Sequence, residues 1–299
     1  MRNISMVASK RPIQNLQTDK YPNTSKHISP MEQLHLGISE SFSLIHDPSV
    51  YLGKTKDMAK GLFLCCRGRL CAGESAGMGL PIWKTRSRTY FPSLVNVYTI
   101  GRHAIEIEFT MNLILAWHIA GKRAPEWVSV FMECIVNWYM KIPAFQNRLL
   151  KLRDRVFSSF ALNSSLVTGD EMGHCRVMYE ATPQGFIIKV DNESLQGQGR
   201  LIMLNEVDGQ AFDRLRIGDL VLQGDEIPAW KKVSFCAQLE SPLLDAGLSL
   251  LPGTNTEYSS YALFCGREVA HGLDWAGIAV MNQQSRYTYQ VIVHTLTGT

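Results

Sequence analysis

Between Ala104 and Ile119 every odd position is apolar: Ile105, Ile107, Phe109, Met111, Leu113, Leu115, Trp117 and Ile119. The even positions hold Ala104, Glu106, Glu108, Thr110, Asn112, Ile114, Ala116 and His118. An amphipathic helix repeats its apolar face every three to four residues. A sustained two-residue rhythm is therefore the mark of an extended strand with one face on a core and the other carrying polar groups. The run is longer than the usual strand of about five or six residues, which predicts a bend or a bulge within it. A chain containing such a strand must supply it with partner strands and an apolar layer to lie against.

Those partners are visible on both sides. Residues 61–70 and 89–100 read as strands before it, the second interrupted by Pro92. After it, 185–190, 200–205, 220–223, 258–264, 277–281 and 287–293 read the same way, with turn signals at Asp191-Asn192, Asp208-Gly209 and Gly224-Asp225. A helical stretch lies between. Pro125 suits a first helical position, Trp127 to Met140 is apolar nearly all round, Pro143 ends or kinks it, and a second helix is expected from Ala144 to about Ser159. Strands do not alternate with helices, so a doubly wound parallel sheet is not expected. The expected fold is mainly β (α+β): an antiparallel β-sandwich or partly closed barrel with a helical insertion at about 125–160. The expected division is a disordered basic tail over 1–30, a β-rich region over 31–124, the insertion, and a β-rich region over 161–299 that either forms one continuous domain with 31–124 or is a second domain.

Charge narrows the function classes. Residues 1–30 carry Arg2, Lys10, Arg11, Lys20 and Lys26 against Asp19, or +4, which leaves the rest of the chain with 25 basic and 26 acidic groups. The folded part then has no positive field to steer a nucleic acid. Seven cysteines include no C-x-x-C pair, and several sit in apolar runs, as buried thiols do in a cytoplasmic or other reducing compartment. The acid-poor, serine-containing tail leaves a cleavable organelle transit peptide open. The most apolar window, Trp127–Met140, is too short to span a bilayer and holds Glu133 and Asn137, so no membrane span is expected.

Five places carry side chains with chemistry to offer. Glu106 and Glu108 project from one strand face, about 6.5–7 Å apart by strand rise. That spacing lets paired carboxylates divide acid and base roles in glycoside hydrolysis, with Asn112 and His118 further along the same face; the face can equally be the wet side of a sheet. His271 stands beside Asp274 and Trp275 in an expected loop, a combination suited to sugar or aromatic ligands. Asp170, Glu171, His174 and Cys175 form the densest set of metal-ligand types, although Gly169 and Gly173 point to a polar connecting loop. Lys84, Arg86 and Arg88 alternate and share one face on a strand.

The fifth place is Gly73-Glu74-Ser75-Ala76-Gly77, which resembles the G-E-S-A-G turn of carboxylesterases over five residues. The resemblance implies a nucleophilic Ser75, with His271 or His294 as base and Asp219, Asp225 or Asp245 as orienting acid. The chain departs from that pattern. No H-G-G-G stretch lies upstream, and Met78-Gly79-Leu80-Pro81 follows where a helix should begin, so the glycines read as a tight turn or bulge. Leu215 to Leu222 resembles the L-x-x-G-D-x-[I/V]-L stretch of PDZ domains over eight residues, without a carboxylate-binding loop upstream, and reads equally as a hairpin.

Three functions fit these observations. The first is a binding protein that holds a small-molecule or carbohydrate ligand in a pocket between sheet and helices. The second is a hydrolase or lyase using Glu106, Glu108, His118 or His271, or a serine hydrolase through Ser75. The third is a protein-interaction module that pairs through an exposed sheet edge.

Overall fold

The computed structural model describes residues 25–28, 32–48, 58–72, 75–100, 103–131, 162–228, 230–233, 237–253, 260–270 and 273–296. The chain runs through β1 (Ser25–Ile28) into a small antiparallel set of β2 (Leu34–Gly37), β3 (Phe42–His46), β4 (Phe63–Cys66) and β5 (Arg69–Leu70). Long strands follow: β6 (Met78–Thr85), β7 (Thr89–Ile100) and β8 (Ala104–Ile119), with a short β9 (Lys122–Arg123). Beyond residue 161 come β10 (Leu162–Thr168), β11 (His174–Thr182), β12 (Gly185–Asp191) and β13 (Gly199–Asp208). Next are β14 (Arg214–Ile217), β15 (Leu220–Gln223), β16 (Lys231–Val233), β17 (Ala237–Ser241) and β18 (Ala246–Pro252). The last are β19 (Tyr261–Ala270), β20 (Leu273–Asn282) and β21 (Arg286–His294).

All strands outside the β2–β5 set join one antiparallel sheet, so the protein is mainly β, as the sequence predicts. Its pairings trace two arms. One runs β16–β19–β20–β13–β6 and the other β7–β8–β11–β12–β21–β18–β17–β14–β15. The arms meet where β6 pairs with β7 through Trp83↔Tyr90 and Lys84↔Thr89. Each arm thus joins strands from 31–124 directly to strands from 161–299, β6 to β13 in one and β8 to β11 in the other.

The arms fold face to face. On β8, Ile105, Ile107, Phe109 and Met111 are buried, while Glu106 and Glu108 between them are half-buried on the other side. The alternation gives way after Leu113: Ile114 and Ala116 are buried as well, Leu115 is half-buried and Ile119 is exposed. Across the core, Tyr179 of β11 donates its hydroxyl to Met78 O of β6 at 2.8 Å, and Tyr289 of β21 donates to Asn205 Oδ1 of β13 at 3.1 Å. A buried phenol needs a partner for its hydroxyl, so each tyrosine fixes the spacing between arms. Gly79, at φ +71°, makes room for one of them, because a Cβ there would stand 2.7 Å from Tyr179 Oη.

Two prolines sit where a sheet tolerates them. Pro92 falls at a register shift of β7, the bulge that a missing N–H requires, and Pro81 lies on a stretch of β6 that is paired only to β13. The β2–β5 set closes onto the same core through Leu44, Leu62, Leu64 and Cys66. Its tip is tied down by an ion pair of Arg67 with Asp245 and by the bond of Asp208 N–H to Cys71 O at 3.2 Å.

Three expectations meet the structure differently. Residues 25–28, placed by the sequence in a disordered tail, form β1, which pairs with Val97–Ile100 of β7 because that edge is otherwise open. β6 and β18 are strands although neither reads as one: β6 opens Met-Gly-Leu-Pro, and β18 is buried on both faces and shows no alternation. A helix begins at Glu126 after Pro125 and its described residues end at Phe131; the rest of the insertion expected at 125–160 lies outside the described residues.

Candidate functional site

The strand register turns the outer face of β7, β8, β11, β12 and β21 into rows of polar side chains. One row reads Asn96, Glu108, Arg176, Asp191, Arg286, with acid and base alternating across neighbouring strands. Opposite charges in register attract, and three of the four links close: Asn96 Nδ2 donates to Glu108 at 2.9 Å, Arg176 Nε donates to Glu108 at 3.2 Å, and Arg286 Nε donates to Asp191 at 3.0 Å. Arg286 also reaches Glu193 at 2.8 Å, and Lys189 reaches Glu180 at 2.6 Å. Exposed pairs of this kind add little stability each. Their consequence here is to fix which groups are already engaged.

The next row reads Tyr98, Glu106, Met178, Lys189, Thr288. Glu106, Met178, Lys189 and Thr288 of this row form the floor of an open groove of about 610 Å³, walled by Arg176, Ile187, Asp191, Gln284 and Arg286. Glu106 stands on that floor with no hydrogen bond or ion pair to any described residue. Burial raises its carboxyl above the ordinary value; Arg176 works against this, and Glu108 and Asp191 reinforce it. Glu108, two residues along, moves the other way. Burial alone would push it up, but the hydrogen bonds from Asn96 and Arg176 outweigh that and hold it low. Arg176 is in turn raised, first by its hydrogen bond to Glu108. The two carboxylates that share a strand face thus differ in kind: one is spoken for, the other is available.

The groove does not gather the remaining sequence candidates. His118 lies twelve residues further along β8, roughly 40 Å of extended chain from Glu106, opposite Arg123 of β9. His271 lies outside the described residues. His174 opens β11 with Nδ1 3.1 Å from Thr110 Oγ1 and Nε2 3.4 Å from Glu171. Cys175, the next residue on a strand, points to the opposite face and is fully buried in the core, which drives its thiol pKa up. Asp170 and Glu171 sit in the loop before β11. Among the described residues, no three His, Cys, Asp or Glu side chains converge as metal ligands would. Of the basic trio, Arg88 pairs with Glu126.

Ser75 is fully buried, and its Oγ donates to Ala72 O at 2.5 Å. The residue after the motif leads into strand β6 rather than a helix, while Gly73 and Glu74 lie outside the described residues. The motif is instead stapled to β13: Ala76 N–H donates to Glu206 Oε2 at 2.8 Å, Glu206 N–H to Gly77 O at 2.9 Å, and Gly79 N–H to Asn205 Oδ1 at 3.1 Å. Glu206 is buried, and burial raises its pKa to about 7 against the pull of the Ala76 N–H and of Lys60. Asn205 and Glu206 were not among the sequence candidates. Their signal was present as two polar residues in succession inside the apolar run Leu201–Val207, which a strand buried on one side does not require.

No protein-family description matches this chain, and no curated protein or solved structure is similar to it.

Proposed function

We propose that the protein is a binding protein whose site is the outer groove floored by Glu106, and that its ligand is small, polar and rich in hydrogen-bond donors, as a carbohydrate or a small amine is. The observation behind this is the state of Glu106. It is a half-buried carboxylate without a described partner, on a face where Glu108, Asp191, Glu180 and Glu193 each already have a base. An acceptor that is partly desolvated and unengaged is what a donor group of a ligand recovers energy by meeting. Met178 and Ile187 supply the apolar contact beside it. The groove is walled by strands, so this reading needs no helix over the sheet.

A second reading, a hydrolase, is favoured by one observation: the carboxyls of Glu106 and Glu108 are shifted in opposite directions, the division of labour that acid–base pairs use. The engagement of Glu108 by Asn96 and Arg176 favours binding over catalysis. Among the described residues the cysteines Cys65, Cys66, Cys71, Cys175 and Cys265 are free, which supports a reducing compartment.

The test is a titration of the full chain with neutral mono- and disaccharides and with short alkylamines, followed by thermal shift and by NMR. One class should give a saturable response, weakened about tenfold or more in Glu106→Ala, the loss expected for a hydrogen bond to a charged group. No saturable response to either class, or an unchanged response in Glu106→Ala, would overturn the assignment. Release of reducing sugar from a glycoside, abolished in both Glu106→Ala and Glu108→Ala, would move the reading to the hydrolase.

A further inference from the structure

At the far end of the same arm, the register brings together a second polar cluster. Gln223, Arg214, Glu240, Gly247 and His294 lie in one row across β15, β14, β17, β18 and β21. Arg216 and Gln238 lie opposite each other in the adjoining row. Glu240 is 3% exposed and is the shared acid of two guanidiniums. Arg216 binds it through Nε at 2.5 Å and Nη2 at 3.3 Å, and Arg214 Nη1 stands 3.7 Å away. Two arginines against one carboxylate leave a charge of +1 before the imidazole is counted.

The donors exceed the acceptors. Arg214 Nε is buried and has no hydrogen-bond partner among the described residues, although a guanidinium offers five N–H groups. His294 joins from across a strand because Gly247, between it and Glu240 in register, has no side chain. A Cβ there would stand 2.4 Å from His294 Nε2, so the imidazole occupies the space over Gly247. Arg214, Arg216, Gln238, Glu240, His294 and Leu296 line an open depression of about 620 Å³.

We infer that this depression is an anion site that takes a phosphate group between Arg214, Arg216 and His294. The terminal guanidinium N–H groups of Arg214 and Arg216 that Glu240 leaves unengaged, with the imidazole beside them, supply donors for the oxygens of a tetrahedral oxyanion. Glu240, buried beneath, acts as the anchor that holds both arginines in place while neutralising only one of them. The volume exceeds that of the oxyanion alone and falls within the range of small-molecule sites, which suits a phosphate carried on a small ester. The site is independent of the Glu106 groove and stands or falls without it.

Calorimetric titration of the full chain at low ionic strength tests this, with inorganic phosphate, a nucleoside monophosphate and a neutral sugar in separate arms. Saturable binding is expected in one or both phosphate arms and not in the sugar arm; which phosphate arm responds identifies free or esterified phosphate as the ligand. Arg214→Gln should weaken binding about tenfold or more, and the exposed Arg216→Gln should weaken it in the same direction should the first variant fold poorly. Glu240→Gln should tighten it, because the competing carboxylate is gone. A purely structural role for the cluster would lower the melting temperature of these variants without moving phosphate affinity in opposite directions. Absence of saturable phosphate binding, or unchanged affinity in both arginine variants, would overturn the inference.

Discussion

Glu206 and Glu106 are both acids that burial makes harder to ionise, yet their surroundings assign them different work. Glu206 lies in the core and accepts the Ala76 N–H, with its own N–H given to Gly77 O, so it fastens the glycine-rich loop to β13. Glu106 is half-exposed in a groove and has no described partner. The difference teaches that burial alone does not single out a functional carboxylate. A desolvated acid whose hydrogen bonds are complete is part of the scaffold, and one whose bonds are missing is open to a ligand.

The largest expected effect lies on the scaffold side. Glu206→Ala leaves the Ala76 N–H without its acceptor and removes the buried charge facing Lys60, and should lower stability in urea by about 3 kcal/mol or more. Its titration gives a second handle with a definite sign. The carboxyl ionises near 4.5 as an ordinary group but at about 7 in the folded chain. Between these values the folded state holds more protons than the unfolded one, so stability should fall as pH rises from about 4.5 to about 7, by roughly 3 kcal/mol. Glu206→Gln should flatten that slope. If the denaturation midpoint of the glutamine variant follows the same pH curve as the parent, Glu206 is not the titrating group and the contrast with Glu106 dissolves.

Gly79→Ala should come next, at about 2–3 kcal/mol. It combines a left-handed backbone that disfavours a side chain with a Cβ 2.7 Å from Tyr179 Oη, where the rigid phenol bridges the two arms. A variant as stable as the parent would mean that the arms can separate freely at that point. The smallest effect belongs to Glu106→Ala, expected within about 0.5 kcal/mol in the same urea assay, because no described contact is lost. A large destabilisation there would make Glu106 a scaffold residue like Glu206.

The rhythm of Ala104–Ile119 was enough to predict β8 with its bounds, since alternation follows directly from pleat geometry. It also placed Glu106 and Glu108 on one outward face, as the structure has them. Other elements were harder to read for particular reasons. β18 is buried on both faces, and a run without alternation does not announce a strand. The Ser75 turn has the letters of an enzyme motif, but its serine is buried on Ala72 O and the next residue, Ala76, is held by Glu206 of β13, 130 residues further along. His174 and Cys175 are neighbours in the chain and part company in the sheet because successive strand residues face opposite ways. The Arg214, Glu240 and His294 cluster unites three strands distant in sequence, and only pairing brings it together.

By itself, the order of residues determined the extended backbone of β8 and which of its sides is apolar as far as Leu113, because these follow from local sterics and from a repeat of two. Tertiary structure decided which strand lies beside which. With that it decided whether an acid on the wet face is hydrogen-bonded by an arginine, as Glu108 is, or only lies near one that is engaged elsewhere, as Glu106 does. The physical reason is that a side chain's ionisation and availability depend on partners within a few ångströms, and in an antiparallel sheet those partners come from strands brought into register by folding rather than by proximity along the chain.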